Sequence, residues 1–467
     1  MCCVAGKHQI ALKNLQNNEE IPHSVLFIHG EISEKCQRNT LLITLNSEYR
    51  DNCAVSRING EFKSLLQLNV GLNKLTLNYC NAVFSININH KVSKNTRSVT
   101  PLYIVVRNHD GCFQAREGNS PVNACARISV GLRMAQMVFA EKLRAHGGTG
   151  RKTFHLSGDC EVFNSNLTIK EAFTMTESQL WSFFARELID RMPDCQNRKF
   201  VAFIGCTRYC GTKDPAYTYE SIQAATVANA ALGSGGLALL GTGCLFSWPE
   251  RICDVRRCLE DETKVPLDEL MDNSAYRRTY GGCFATTIGV LLHEMGHIFD
   301  LAHCSEGIMG SNCDRVDQML TLKDFHGQYG NVPKRHVPTG RGTRCTIVRH
   351  PGGMAAAFSA MSHSNGVYFT ENCLTLLDTH KWFNESREPQ LDAGLAFNAD
   401  TREICGKYPL RLVEMRSASG LVERYWIIST SESTNNIYFS IPSHIQLMKC
   451  TIFCIDAFGN ILTETFN

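Results

Sequence analysis

No stretch of this sequence is uniformly apolar over the length needed to cross a bilayer. Its opening, MCCVAGKHQIALKNLQNNEEIP, lacks the basic start and apolar run of an export leader. Neither sign of charge prevails: 47 Lys and Arg face 45 Asp and Glu, a net of +2, so no electrostatic argument favours nucleic acid or an acidic membrane as partner. Internal repeats and low-complexity segments are absent as well. The expectation from these absences is a chain that works in the cytoplasm without nucleic acid or membrane. Its 22 cysteines are then read as reduced thiols, many of them small core residues. The glycosylation patterns at Asn166 and Asn384 are idle in such a compartment.

What is present is the composition of a globular protein, 43% apolar and 20% charged over 467 residues. That length suggests roughly three domains. Residues 1–98 carry a strand period: Leu75, Leu77 and Tyr79, then Phe84, Ile86 and Ile88, alternate with polar residues, and an Asn59-Gly60 turn lies upstream. A small β-sandwich is expected there. From 99 to 395 strands and helices alternate. LYIVV (102–106) and KFVAFIG (199–205) read as buried strands, TFHL (153–156) as another, and GGLALLG (235–241) as a glycine-flanked edge strand. Helices are expected over 128–146, over 369–383, and from Thr176 to about Met192, the last opened by a capping box with Gln179. Residues 396–467, with RYWII and CTIFCIDAFGN, predict a second small β-domain.

The most informative segment is HEMGHIFDLAHCSEGIMG (293–310). Read as a helix, Ile288, Leu291, Leu292, Met295 and Phe299 form a buried face. His293 and His297 then lie one turn and about 40° apart on another face. Two neutral imidazoles so placed can hold a divalent cation, with zinc the natural choice for nitrogen ligands. Glu294 flanks them, placed to reach a water rather than the metal. A third ligand, His303, requires the helix to break sharply. The residue at the break, Asp300, is among the few non-glycine types that enter the left-handed region readily, and it is a candidate to orient a ligand histidine. Met309, in the turn GIMG, would floor the site.

This combination, HExxHxxxxxH followed by a methionine turn, resembles the metzincin clan of zinc peptidases. More narrowly the chain resembles a little-characterised eukaryotic family of proteins assigned as intracellular zinc metallopeptidases, with HExGHxFGxxH followed by GIM. It is similar to that family also in residues 135–154, in SWP (247–249) and in THKWF (379–383), where the family tends to have proline in place of Lys381. The likeness covers roughly residues 100–383. Archaemetzincins share the cysteine after the third histidine, here Cys304, but require a later CxxC that this chain lacks. The resemblance implies an α+β fold: a zincin-like peptidase domain with a mixed sheet and active-site helix, flanked by N- and C-terminal β-sandwich-like domains. It implies one catalytic Zn2+ held by His293, His297 and His303, Glu294 as general base in peptide-bond hydrolysis, a peptide or protein as partner, and Met309 as the structural methionine. The edge strand at 235–241 is then expected to pair with an extended substrate. No tyrosine follows Met309 closely, which leaves His326 and Tyr329 as candidates for stabilising the oxyanion.

Other motifs carry less. GCTRYCGTK (205–213) lacks P-loop spacing, and GSGGLALLGTG (233–243) lacks GxGxxG spacing. Cys206 with Cys210 and Cys253 with Cys258 are read as scattered core thiols rather than a structural zinc site. The basic segment 334–350 is read as a solvated loop. The rival reading of the whole is a zinc-binding pseudo-peptidase whose β-domains bind a protein or glycan.

Overall fold

A computed structural model describes residues 8–33, 38–147, 150–213, 218–310, 313–322, 367–385, 393–428, 437–442 and 449–466. At its centre is a mixed sheet in the order His155–Leu156, Ser98–Arg107, Arg198–Ile204, Leu237–Gly241, Ala231–Ser234, with Glu161–Thr168 also paired to Ser98–Arg107. All pairings are parallel except the last, where Ala231–Ser234 runs antiparallel to Leu237–Gly241 (Ala231 opposite Leu240, Gly233 opposite Ala238). The inner strands Ser98–Arg107, Arg198–Ile204 and Leu237–Gly241 are largely apolar because both their faces are covered, whereas the outer Glu161–Thr168 alternates. Val99, Tyr103, Val201, Phe203, Ala238 and Leu240 point into one core, shared with the helices Pro121–Ala145 and Tyr280–Ile298. Their alternates, among them Leu102, Ile104, Ala202, Ile204 and Leu239, pack against Leu180, Phe184 and Leu188 of helix Glu177–Arg191. That helix carries the capping box of Thr176 and Gln179 that its sequence predicts.

The strand at Leu237–Gly241 is not an edge strand, as the sequence suggested. It lies inside the sheet, four of its five residues buried, and the edge is the short Ala231–Ser234. A run as apolar as LALL is what an interior strand requires, and the flanking glycines misled. Of TFHL, only His155 and Leu156 pair. The long helix begins earlier than predicted, at Pro121 after the cap Ser120, because Pro at the first helical position is pre-set in φ. The helix predicted over 369–383 is the shorter Glu371–Thr379. Strand Glu161–Thr168 went unread.

Residues before Ser98 form two facing sheets, one ordered Gln9–Leu12, Val25–Ser33, Glu61–Gln67 and one of five strands, which enclose their own core around Ile43, Leu75, Leu77 and Ile88. Buried ties hold this unit to helix Pro121–Ala145 and to the segment around Gln318 and Thr321. Arg151 bonds Glu141, Glu19 and the Asn14 carbonyl, while Lys63 donates to the carbonyls of Gln318 and Thr321. Strands after Ala396 form a three- and a four-stranded sheet. Leu412, Val422, Phe453 and Ile455 of these strands are buried in the central core, so this sheet is packed against the site helix's neighbourhood rather than standing apart. No helix among the described residues is long and apolar enough to cross a membrane.

Candidate metal centre

The helix Tyr280–Ile298 starts where Thr279 Oγ1 accepts from Gly282 N, and it buries Phe284, Ile288, Leu291, Leu292 and Met295 as the sequence pattern requires. His293 and His297 emerge on a half-buried face. The helix ends in a Schellman turn: Asp300 N donates to His297 O and Leu301 N to Gly296 O, with Asp300 at φ 65° in the left-handed position usually taken by glycine. Reversal of the chain there brings His303 back under the helix. His303 is then gripped on both sides by the hairpin after strand Leu410–Ser417. Its N–H donates to Gly420 O and its carbonyl accepts from Val422 N.

The three histidines meet. Their Nε2 atoms lie 3.1 Å apart between His293 and His297 and 3.2 Å between His297 and His303, and among the described residues they are the one cluster able to hold a metal ion. Of the four cysteines expected to be core thiols, Cys206 is buried and Cys258 partly so, while Cys210 and Cys253 are exposed. The proton positions follow from chemistry. His293 Nδ1 lies 2.8 Å from Ile308 O and His297 Nδ1 2.9 Å from Leu301 O. A carbonyl only accepts, so both Nδ1 atoms carry hydrogen, and in the neutral rings both Nε2 atoms present bare lone pairs. Burial, foremost, with the charges of His303 and Arg416, pulls the His297 pKa down to about 4 against the lift from Leu301 O. His303 is lowered by burial as well. Converging lone pairs at this distance repel unless a cation sits among them. Zn–N bonds of about 2.0–2.1 Å in tetrahedral geometry put ligand nitrogens roughly 3.3 Å apart, so the donor set fits zinc.

Met309 lies beneath, almost fully buried, and explains the glycine of the helix motif: a Cβ on Gly296 would stand 2.4 Å from Met309 Sδ. The methionine turn is itself fixed to the ligands, since Ile308 O holds His293 while Ile308 N donates to Tyr368 O. Glu294 is turned toward the edge strand. Its Oε2 accepts from Gly233 N at 2.7 Å, and Gly233 is crossed so closely by the helix that a Cβ there would stand 2.1 Å from Glu294 O. Ala231 N, the other N–H on the open side of that strand, donates to Glu177 Oε1 at 2.5 Å. The outward N–H groups of the edge are therefore already bonded to carboxylates.

Asp300 does not orient a ligand histidine. Its carboxylate takes His380 Nε2 at 3.0 Å, and its carbonyl accepts from Arg416 Nη2 at 2.8 Å. Burial alone would raise the Asp300 carboxyl, but the hydrogen bond and the charges of His380, Lys199 and Arg416 outweigh it and hold it below the usual range. His380, Arg416 and Gly420 are the residues that sequence reasoning missed. The one signal was THKWF, whose histidine is the partner of Asp300. His326, Tyr329 and segment 334–350 lie outside the described residues.

Comparison with known proteins bears on this arrangement. The chain is similar to a protein of Saccharomyces cerevisiae named "Putative zinc metalloproteinase", 22% identical over 379 residues, covering 73% of this chain and 53% of the relative. A Schizosaccharomyces pombe protein of the same description is 21% identical over 352 residues, covering 68% of this chain and 54% of the relative. The chain thus spans about half the length of these curated relatives. A family described as "Putative peptidase family" matches residues 9–349, well over half of the 467. By that match, which takes in all three histidines and Glu294, the chain belongs to this peptidase family.

Proposed function

We propose that this protein is a zinc-dependent metallopeptidase of zincin-like fold, with His293, His297 and His303 holding one zinc ion and Glu294 as general base. The observation that carries the reading is the pair of bare Nε2 lone pairs 3.1 Å apart, fixed in that state by carbonyls behind each ring. When bound, zinc supplies Lewis acidity, lowering the pKa of water and polarising a carbonyl. Glu294 takes the proton from water as its oxygen adds to the peptide carbonyl, and returns a proton to the amine as the C–N bond breaks. To do so it exchanges its Gly233 bond for the water. The apolar floor of Met309 and the carbonyl-held rings fix the ligand geometry in advance. We place the activity in the cytoplasm, where Cys304 and Cys373, with sulfurs 3.6 Å apart, remain thiols.

The test is mass spectrometry of a proteome-derived peptide library incubated with the protein and with Glu294→Gln, alongside metal analysis of both. Cuts confined to the wild type, with zinc in both, support the reading. Matching digests from two zinc-loaded proteins would overturn it in favour of a pseudo-peptidase.

A further inference from the structure

The helix face that carries Glu294 continues N-terminally through Val290 and Thr287, at the spacing that keeps residues on one stripe. On the edge strand, Ala231 lies two residues before Gly233, on the same side. Between these two elements opens a pocket of about 400 Å³, whose lining includes Thr287, Val290 and Ala231. It therefore starts one helical turn and two strand residues from the carboxylate of Glu294. An extended peptide passing over the Glu294 carboxylate, at about 3.3 Å per residue and without pairing to the strand, would bring the side chain of a residue next to the cut bond over its mouth.

Its walls differ in character. Phe203, Leu240, Trp248 and Val290 give an apolar floor, with the indole fixed by its Nε1 bond to Thr287 Oγ1 at 2.7 Å. Glu177, Gln223, Asn229 and Asn273 give a polar rim. Asn229 spends an N–H on Gln223 Oε1 at 2.8 Å, which leaves its own oxygen as an acceptor against Gly241. Among the described residues that line the pocket, Glu177 is the one with a formal charge. Its position is set, because one carboxylate oxygen is tied to Ala231 N.

We propose that this pocket selects a basic substrate side chain, arginine or lysine, beside the scissile bond. The inference rests on the peptidase reading and adds the substrate class. A long aliphatic stem covers the apolar floor while its head turns back to the rim, as such side chains do. There it meets a carboxylate and carboxamide oxygens, acceptors for a group that only donates. An acidic side chain would meet Glu177 with like charge. A purely apolar one would strip water from the rim without replacing its hydrogen bonds.

The test uses two synthetic peptide libraries, identical except that one carries arginine and the other its neutral isostere citrulline at a fixed central position. The wild type is expected to cut the arginine library about tenfold faster, the worth of one charge-assisted bond. In Glu177→Gln, which keeps an oxygen for Ala231 N, that ratio should fall toward one. Equal rates on the two libraries, or a ratio untouched by Glu177→Gln, would overturn the proposal while leaving the peptidase intact. The same libraries are also bound to Glu294→Gln and read by fluorescence anisotropy. Tighter retention of arginine peptides there supports the pocket even if no cleavage is found, and equal retention overturns it.

Discussion

Gly233 N donates to Glu294 Oε2 at 2.7 Å, joining the edge of the central sheet to the helix that carries His293 and His297. The contact depends on the missing side chain. In Gly233→Ala the new methyl would meet backbone of the helix at 2.1 Å, so strand and helix must separate. The expected cost is about 1–3 kcal/mol, with loss of peptide cleavage beyond what that destabilisation explains at temperatures where the variant is folded. Denaturant unfolding and turnover, measured on one preparation, check both.

Metal removal is the second expectation. With a chelator the histidine lone pairs face one another without a cation, and the thermal midpoint should drop, recovering on adding zinc. Free zinc at 1,000 times its dissociation constant stabilises by about 4 kcal/mol. His297→Ala, which removes the nitrogen central to both short contacts, should purify with far less than one zinc and show no chelator-dependent shift.

His380→Ala removes the partner of Asp300 without touching a ligand. The partly exposed carboxylate at the helix break loses that hydrogen bond, at a cost of about 0.5–1.5 kcal/mol. Because that break sets where His303 returns, zinc affinity is expected to fall by roughly 10-fold. Competition against a fluorescent zinc chelator reads this directly; an unchanged affinity would show the break to be independent of His380.

Acid should weaken the N-terminal sheets first. Burial, and then the charge of Arg151, depress the His23 pKa from 6.5 to about 3. Between those values the unfolded chain binds a proton that the folded chain refuses, so stability is full above pH 6.5 and falls as pH drops toward 3. The slope from this group is about 1.4 kcal/mol per pH unit. His23→Leu should flatten the fall between pH 6.5 and 5 in denaturant titrations.

Local signals in the sequence are legible where they are strong. The helix period around Ile288 and Leu291, the Asp300 break and the capping box at Thr176 each concern residues within a few positions of one another. So did the alternation that forms the two N-terminal sheets. Misreadings arose where neighbours in space are distant in sequence. ALGS carries almost no strand signal, and only pairing with Leu237–Gly241 makes it the edge. The bond from Gly233 N to Glu294 was not legible because Gly233 belongs to that strand. Asp300 seemed a second support for a ligand because nothing local marks His380 as its partner. The hold of Gly420 and Val422 on His303 left no trace in either segment.

That last grip has a kinetic side. His293 and His297 are spaced by a helix that can form as soon as its own turns close, but the backbone of His303 is pinned by residues far down the chain. Closing so long a loop is slow and comes late. During synthesis the chain thus carries two of its histidines ready and the third unanchored until the Gly420–Val422 hairpin leaves the ribosome. The third histidine is therefore fixed in place only after residues far downstream of it have folded, so capture of a metal by all three follows the folding of that hairpin rather than guiding it.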